Sequence, residues 1–246
     1  MADRGVSPKN NNTVDLGSSS KKWRKLYAVR VDEGTYIPGA FNHKETFTTS
    51  GSFVAPVTGT YRITLQGGGG GGGGAGTSSS NHNSGGGGGG GGRAQFYETL
   101  TADESYSYII GAGGAGGSAG SDSSGGEKGS DGGDSTITIA SHAYIATGGK
   151  GGGGSPTFGR GGYGGSVTKD GVSLASSIFP GCPGGNASTG KYLSGGAGGI
   201  GSPYNGVPGY YGGGGAGGHI GNATYNAGSA GGDGYITFEW YNPGQA

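Results

Sequence analysis

Gly67-Gly-Gly-Gly-Gly-Gly-Gly-Gly-Ala75-Gly76, then Thr77-Ser-Ser-Ser-Asn-His-Asn-Ser84, then a second run from Gly85 to Gly92, is the stretch that decides how this chain is read. Glycine has no side chain to bury and favours neither helix nor strand, so an ordered run of it must be held still by something outside itself. In isolation the runs would read as flexible linkers. Their flanks argue otherwise: Tyr61-Arg-Ile-Thr-Leu-Gln66 before and Arg93-Ala-Gln-Phe-Tyr-Glu-Thr99 after have the β-branched and aromatic content of strands.

Glycine then recurs with a period of three. It falls at 111, 114, 117 and 120, at 126, 129 and 132, at 159, 162 and 165, at 195, 198 and 201, at 212, 215, 218 and 221, and at 228, 231 and 234. Polyproline-II geometry has three residues per turn and a rise of about 3.1 Å, so each such segment carries a glycine stripe along one side. Where two residues in three are glycine, as in Gly111-Ala-Gly-Gly-Ala-Gly-Gly117, two sides are bare and neighbouring backbones can touch. Buried N–H and C=O groups need partners, so the expectation is a stack of short polyglycine-II helices bonded to one another. Collagen needs long unbroken Gly-X-Y with abundant proline; here the phase breaks every few triplets and the chain has 9 prolines.

The 246 residues include 69 glycines, yet 15 tyrosines, 7 phenylalanines and several alternating apolar runs exceed what a disordered chain carries. With 15 basic and 15 acidic residues the net charge is zero, which leaves no broad electrostatic footprint for nucleic acid or anionic membrane. Partner choice must then rest on shape, aromatic rings and hydrogen bonds. One cysteine, Cys182, cannot staple a fold, which argues against the disulfide-rich secreted class. Met1-Ala-Asp-Arg-Gly-Val-Ser-Pro-Lys-Asn10 lacks the apolar core of a signal peptide, and no stretch approaches the roughly 20 apolar residues of a membrane span. Synthesis in a cytosol, without membrane insertion, is expected.

Strands are predicted over 46–55, 60–66, 94–100, 105–110, 135–140, 142–147 and 235–241, with tight connections at Thr101-Ala-Asp-Glu104 and Ser141-His142 making two hairpins. Almost every strand runs directly into a glycine run. The expected fold is mainly β: a sandwich, TNF-like or jelly-roll-like, extended by a layer of polyglycine-II helices.

Residues 1–45 differ in composition, being polar, lysine-rich and almost free of glycine repeats. Within them Asn12-Thr-Val-Asp-Leu-Gly-Ser-Ser-Ser-Lys-Lys-Trp-Arg-Lys-Leu-Tyr-Ala28 resembles a motif found near the ends of bacteriophage tail fibres: Asp-Leu-Gly-Ser-Ser, basic residues, tryptophan, basic residues, aromatic. The resemblance implies a segment of an intertwined homotrimeric shaft with Trp23 packed inside. Lys21, Lys22, Arg24 and Lys25 then form a solvated charged face around one indole rather than a nucleic-acid patch. The alternation of strand, glycine run, loop, glycine run and strand over 46–242, closing on Gly231-Gly-Asp-Gly-Tyr-Ile-Thr-Phe-Glu-Trp240, resembles the glycine-rich receptor-binding domains at tail-fibre tips. Similar glycine layers occur in the detachable tip adhesins of T-even-like phages and beside a TNF-like sandwich in an animal receptor kinase ectodomain. Unlike the detachable adhesins, this chain carries its own fibre-like segment, which implies direct attachment to a shaft.

Loops on a rigid scaffold are where recognition usually lives. If the turns at 101–104 and 141–142 lie at the shaft end, parity puts loops 77–84, 121–125, 155–158 and 219–227 at the far end. The excursion 166–194 must then cross the domain, and 202–211 falls at the near end or side. The candidate binding residues on the far loops are Asn81, His82, Asn83, Phe158, Phe179, Tyr192, His219, Asn222 and Tyr225, with Tyr204, Tyr210 and Tyr211 in second rank; Tyr163 shares their chemistry. Tyrosine among serine, glycine and asparagine is the composition of adaptable paratopes, and aromatic faces with amides equally suit a sugar ring. Any single tyrosine could instead merely cover the glycine layer.

Catalytic patterns here are products of glycine content. Gly116-Gly-Ser-Ala-Gly120 has serine-elbow spacing, but no strand precedes it closely enough to aim a nucleophile. Gly185-Asn-Ala-Ser-Thr-Gly-Lys191 has phosphate-loop spacing but is followed by Tyr192 where a hydroxyl for magnesium belongs. Gly125-Gly-Glu-Lys-Gly-Ser-Asp131 with Asp134 is close to a calcium-binding nonapeptide, but it is unrepeated and its spacing is off by one. His43, His82, His142 and His219 are far apart, though in a trimer one histidine per chain could meet on an axis. The expectation is therefore a non-enzymatic tail-fibre tip without cofactor: residues 1–45 attach to an upstream shaft, and residues 46–246 bind a bacterial surface glycan or outer-membrane protein as a homotrimer in the virion. Two other classes fit the composition: a structural or ice-binding glycine-rich protein, and a calcium-dependent carbohydrate-binding module.

Overall fold

In the computed structural model the described residues are 41–78, 81–121, 124–155, 159–173, 178–179, 212–221 and 224–242. The chain divides between Ile37 and Pro38, and the fibre-like segment at 12–28 lies outside the described residues. The strands are β1 His43–Phe47, β2 Gly51–Val54, β3 Gly59–Gln66, β4 Gly76–Ser78, β5 Asn81–Asn83, β6 Arg93–Leu100, β7 Ser105–Ile109 and β8 Ser135–Ile139. They continue with β9 His142–Ala146, β10 Val167–Lys169, β11 Val172–Ser173, β12 Ile178–Phe179, β13 Ile220–Gly221, β14 Thr224–Tyr225 and β15 Tyr235–Trp240.

The protein is mainly β, and no helix occurs among the described residues. One sheet has five strands in the order β1-β15-β3-β6-β12, the other six in the order β11-β10-β9-β8-β7-β2, all antiparallel. Period-2 alternation turns Tyr61, Ile63, Leu65, Phe96, Tyr108, Ile137, Ile139, Tyr144, Ile236, Phe238 and Trp240 into one core. Phe53 stacks on Phe238 with centroids 4.1 Å apart, and Phe96 on Tyr144 at 3.8 Å. Each buried aromatic of this kind removes enough apolar surface from water to stabilise by about 2–3 kcal/mol.

Three sequence expectations are corrected. The stretch 46–55 is not one strand: β1 and β2 belong to different sheets, and the chain crosses between them at 48–50, where the Ser50 hydroxyl accepts from the Ile110 N–H. Strand β1 also starts at His43, paired with Trp240, so 43–45 lie in the sheet. The excursion after 166 begins as the hairpin β10–β11, turned by Asp170 and Gly171 at φ 51° and 78°. An Asp-Gly pair between Val-Thr-Lys and Val-Ser is the sequence signal for such a turn. Strands β7 to β11 are sequential neighbours, a meander within one sheet of the sandwich.

The glycine runs form a second layer whose hydrogen bonds repeat every three residues. Every N–H from Gly67 to Ala75 donates: those of 67, 70 and 73 to Gly92, Gly89 and Gly86; those of 68, 71 and 74 to Gly133, Ser130 and Glu127; those of 69, 72 and 75 to Gly232, Ser229 and Asn226. Its carbonyls accept in the same rhythm, from Gly149, Gly152 and Ser155, from Gly114, Gly117 and Gly120, and from Gly215 and Gly218. Segment 67–75 thus has six neighbours. They bond to each other in turn, 111–120 to 126–133 to 148–155 to 85–92 to 212–218 to 226–234 and back to 111–120, which closes a ring. Segment 159–165 lies outside the ring, bonded to 85–92 and to 148–155. The central segment donates to neighbours that run against it and accepts from those that run with it.

This packing explains the composition segment by segment. A Cβ built on Gly71 would lie 2.0 Å from the Ala115 oxygen, on Gly72 2.0 Å from that of Ala216, and on Gly73 2.1 Å from that of Gly153. Three successive residues therefore face three different backbones, and none has room for a methyl group. On 111–120 the side fully open to solvent holds Ala112, Ala115 and Ser118, while Gly113 and Gly116 on the next side are half-buried. On 126–133 more of the surface is open: Gly126, Gly129 and Gly132 keep the period, Gly133 follows, and exposed Glu127, Lys128, Ser130 and Asp131 stand between.

Candidate functional site

Three excursions leave described strands and return: 67–75 returns as 85–92, 111–120 as 126–133, and 148–155 as 159–165; segments 212–218 and 226–234 make a fourth pair, which leads into β15. Their turns meet at one end. The Thr77 N–H donates to Ser124 (3.2 Å) and its hydroxyl to the Ser121 carbonyl (2.7 Å). Ala75 donates to Asn226, Gly85 to Gly218, and Ser155 to Gly74 at 3.3 Å. At the other end of the molecule are the hairpin turns: Asp103 at φ 64°, Ala140 and Ser141 at 48° and 71°, and Asp170. The parity expectation for loops 77–84, 121–125, 155–158 and 219–227 agrees with these bonds.

Two small hairpins build the tip. In β4–β5, Thr77 stands opposite His82 and Gly76 opposite Asn83; in β13–β14, Ile220 stands opposite Tyr225. Asn83 is buried, at 6% exposure, as are Thr77 and Ser84. His219 is exposed, and the Asn226 amide donates to its carbonyl at 3.2 Å while lying 3.3 Å from its ring Nε2. Ser121 and Ser124 close their own turn, hydroxyl to hydroxyl at 2.9 Å. The structure therefore gathers Asn81, His82, Asn83, His219 and Tyr225 at one end. Phe179 is corrected: it lies on β12 opposite Arg93, where β6 begins, about 25 Å from the loop end by eight residues of about 3.1 Å rise. Phe158, Tyr192, Tyr204, Tyr210, Tyr211 and Asn222 lie outside the described residues. Tyr163 sits on the flank, 78% exposed, its carbonyl accepting from the Lys150 N–H.

Sequence reasoning missed Thr77, Ser84, Ser121, Ser124, Ser155 and Asn226, the small polar residues that join the loops. Their signal was position: each stands within a few residues of a glycine run, on its outer side. The Ser155 hydroxyl is shut away from solvent, with the residue 3% exposed, and finds no hydrogen-bond partner among the described residues.

Charge lies on the flank instead. Asp131 accepts from the Gly151 N–H (2.8 Å), from Lys150 (3.0 Å) and from Lys128 (3.3 Å). The backbone bond first, then the two ammonium groups, hold its carboxyl down at about 2. Asp134 and Asp233 bond Gly148 and Gly113 in the same way, so carboxylates stitch the outer seams between glycine segments. Among the described residues no three His, Cys, Asp or Glu side chains gather as a metal site would require.

A family of glycine-rich domains matches residues 48–241, from the crossing between the sheets to the end of β15. The chain belongs to the glycine-rich domain family. Among curated proteins, none matches it. In this glycine-rich domain the match spans both the sandwich and the glycine ring, so the two layers form one unit of sequence as well as of structure.

Proposed function

We propose that this glycine-rich domain is the receptor-binding tip of a bacteriophage tail fibre, a non-enzymatic adhesin. The observation that carries the reading is the gathering of four loop turns at one end of a scaffold bonded along its whole length, with the sheet hairpins at the other. Residues 12–28 supply attachment to a homotrimeric shaft, and three copies multiply a modest single-site affinity. The glycine segments act as a layer of polyglycine-II helices: backbone bonded to backbone fixes the loops, so little ordering remains to oppose binding. The protein is made in the host cytoplasm and works in the virion, where its partner is a glycan or protein of the bacterial surface.

Binding of the labelled chain to a panel of bacterial strains tests this reading, with one variant at each end. His219→Ala, on the loop end, is expected to weaken adsorption several-fold. Asp103→Asn, in a sheet turn whose left-handed φ asparagine tolerates, is expected to leave it unchanged. Equal effects from the two ends would sink the proposal, and sedimentation of the chain as a monomer would remove the trimer.

A further inference from the structure

We infer that the outer face of the six-stranded sheet is where copies of this chain meet; this rests on the adhesin reading above, which calls for three chains, and assigns the surface through which they pack. The alternation that turns Tyr106, Tyr108, Ile137, Tyr144 and Val167 into the core turns their neighbours outward. Ile109, Thr136, Ile145, Thr168 and Ser173 then stand in one register row across β7 to β11, and Ser52 of β2 faces Ser107 of β7. No outward position on β2 or on β7 to β11 holds Asp, Glu, Lys, Arg or His. Two of these positions are large, apolar and more than half exposed, Ile109 at 58% and Val54 at 55%.

The outer face of the other sheet is different. It carries Lys44, Arg62, Arg93 and Glu239, and Arg62 is paired with Glu239 at 2.7 Å. Both faces belong to one sandwich, so the lack of charge on one is a property of that surface rather than of the whole composition. Charged groups return at its rim: exposed Asp103 and Glu104 before β7, and His142 bonded to Asp170 at 2.7 Å where β8–β9 and β10–β11 turn. An uncharged centre within a charged rim is the anatomy of a protein–protein interface.

The same absence of charge selects the partner. A charged partner finds nothing to pair with here. Across a symmetry axis a residue near the axis meets its own copy, so any charge there would face a like charge and be repelled. Serine, threonine and alanine side chains are short enough for a second sheet to approach to about 10 Å, the ordinary spacing of packed sheets. Six strands about 4.8 Å apart make a face roughly 24 Å wide, whose area of on the order of 400 Å² is about half of what each partner gives to a self-sufficient interface. The face therefore packs chains that a shaft already holds side by side, which is the arrangement the tail-fibre reading supplies.

The test is cross-linking of the full-length chain, carrying Cys182→Ser, by a short bis-maleimide from one new cysteine: Thr138→Cys in the middle of this face, or Thr99→Cys, exposed on the other sheet. Thr138→Cys is expected to give at least about ten-fold more two-chain product than Thr99→Cys, and adding Ile109→Lys should cut that yield about ten-fold. Ser107→Cys takes the place of Thr138→Cys if the latter melts lower. Equal yields from the two faces, or none from position 138, in a chain that sediments as a trimer would overturn the interface and leave the trimer and the adhesin standing. Sedimentation as a monomer that still adsorbs to bacteria would overturn this interface and the trimer together while the adhesin survives. A monomer that adsorbs to no strain would bring down all three.

Discussion

The sandwich and the glycine ring solve the same problem by opposite means. In the sandwich, backbone groups pair within two sheets and the space between is filled by side chains; Phe53, Tyr61, Phe238 and Trp240 exclude the water. In the ring there is almost nothing between the backbones. The peptide groups of 67–75 are satisfied in six directions, and the absence of side chains is what lets the neighbours come close. The sandwich gains from apolar burial and tolerates some change of shape. The ring loses more backbone entropy per residue, since glycine is the freest residue in the unfolded chain, and gains chiefly from hydrogen bonds and close contact. A side-chain core can relax around a defect, whereas a backbone lattice has no flexible part with which to do so.

The largest effect expected from that difference is in the ring. Gly71→Ala puts a methyl carbon 2.0 Å from a backbone oxygen, and Gly114→Ala and Gly215→Ala do nearly the same, at 2.1 and 2.0 Å from Ser130 and Ser229. Each should cost on the order of 4 kcal/mol or more, seen as loss of the cooperative unfolding transition or a drop of many degrees in Tm. A melting curve like the wild type's would show that the ring is not packed in this way. In the sandwich, Phe238→Ala removes a fully buried ring and should cost about 3–5 kcal/mol in urea titration, leaving a protein that still folds at low temperature. If Phe238→Ala proved worse than Gly71→Ala, the contrast drawn between the layers would be reversed.

A smaller effect separates the seams from the interior. Because Asp131 is held below its ordinary value in the folded state, its contribution is present above the unfolded value of about 3.9 and disappears as pH falls to about 2. Asp131→Asn should therefore flatten the dependence of Tm on pH between about 4 and 2, while changing the melting temperature at neutral pH by only a few degrees, since the carboxylate is partly exposed. An unchanged acid slope would place the titrating groups elsewhere. The smallest effect belongs to the outward stripe: Ala115→Ser, facing solvent, should shift stability by no more than about 0.5 kcal/mol. One segment, 111–120, thus holds both the most and the least sensitive kinds of position, at adjacent residues 114 and 115.

Much of this was legible in the chain itself. Seven strand regions were marked by β-branched and aromatic residues, and the period of three announced one bare side per glycine segment. The unbroken runs 67–74 and 85–92 belong to the two segments that start and end at a strand pair, β3 and β6, and only the structure puts the first at the centre and the second in the ring. Parity then assigned the loops to one end, because an excursion that leaves a strand must come back to one. The Phe179 position was not legible, because β12 owes its place to pairing with Arg93 across the sheet and has no local mark beyond two apolar residues. Nor was the burial of Ser155, which depends on which neighbours cover it.

What the sequence by itself determined is how many sides of each segment could be approached. Steric room is a local property, fixed residue by residue by the presence or absence of a Cβ. Which neighbour fills each side was decided only in three dimensions. Glycine stripes are interchangeable, so any two would pack equally well, and nothing within 111–120 or 226–234 names the other as partner. The choice is made by the strands that feed them: β3, β6 and β15 lie side by side in one sheet, β7, β8 and β9 in the other, and the ring inherits their order. The sandwich thus sets the address of each glycine segment joined to a described strand, and through it of that segment's loop at the far end.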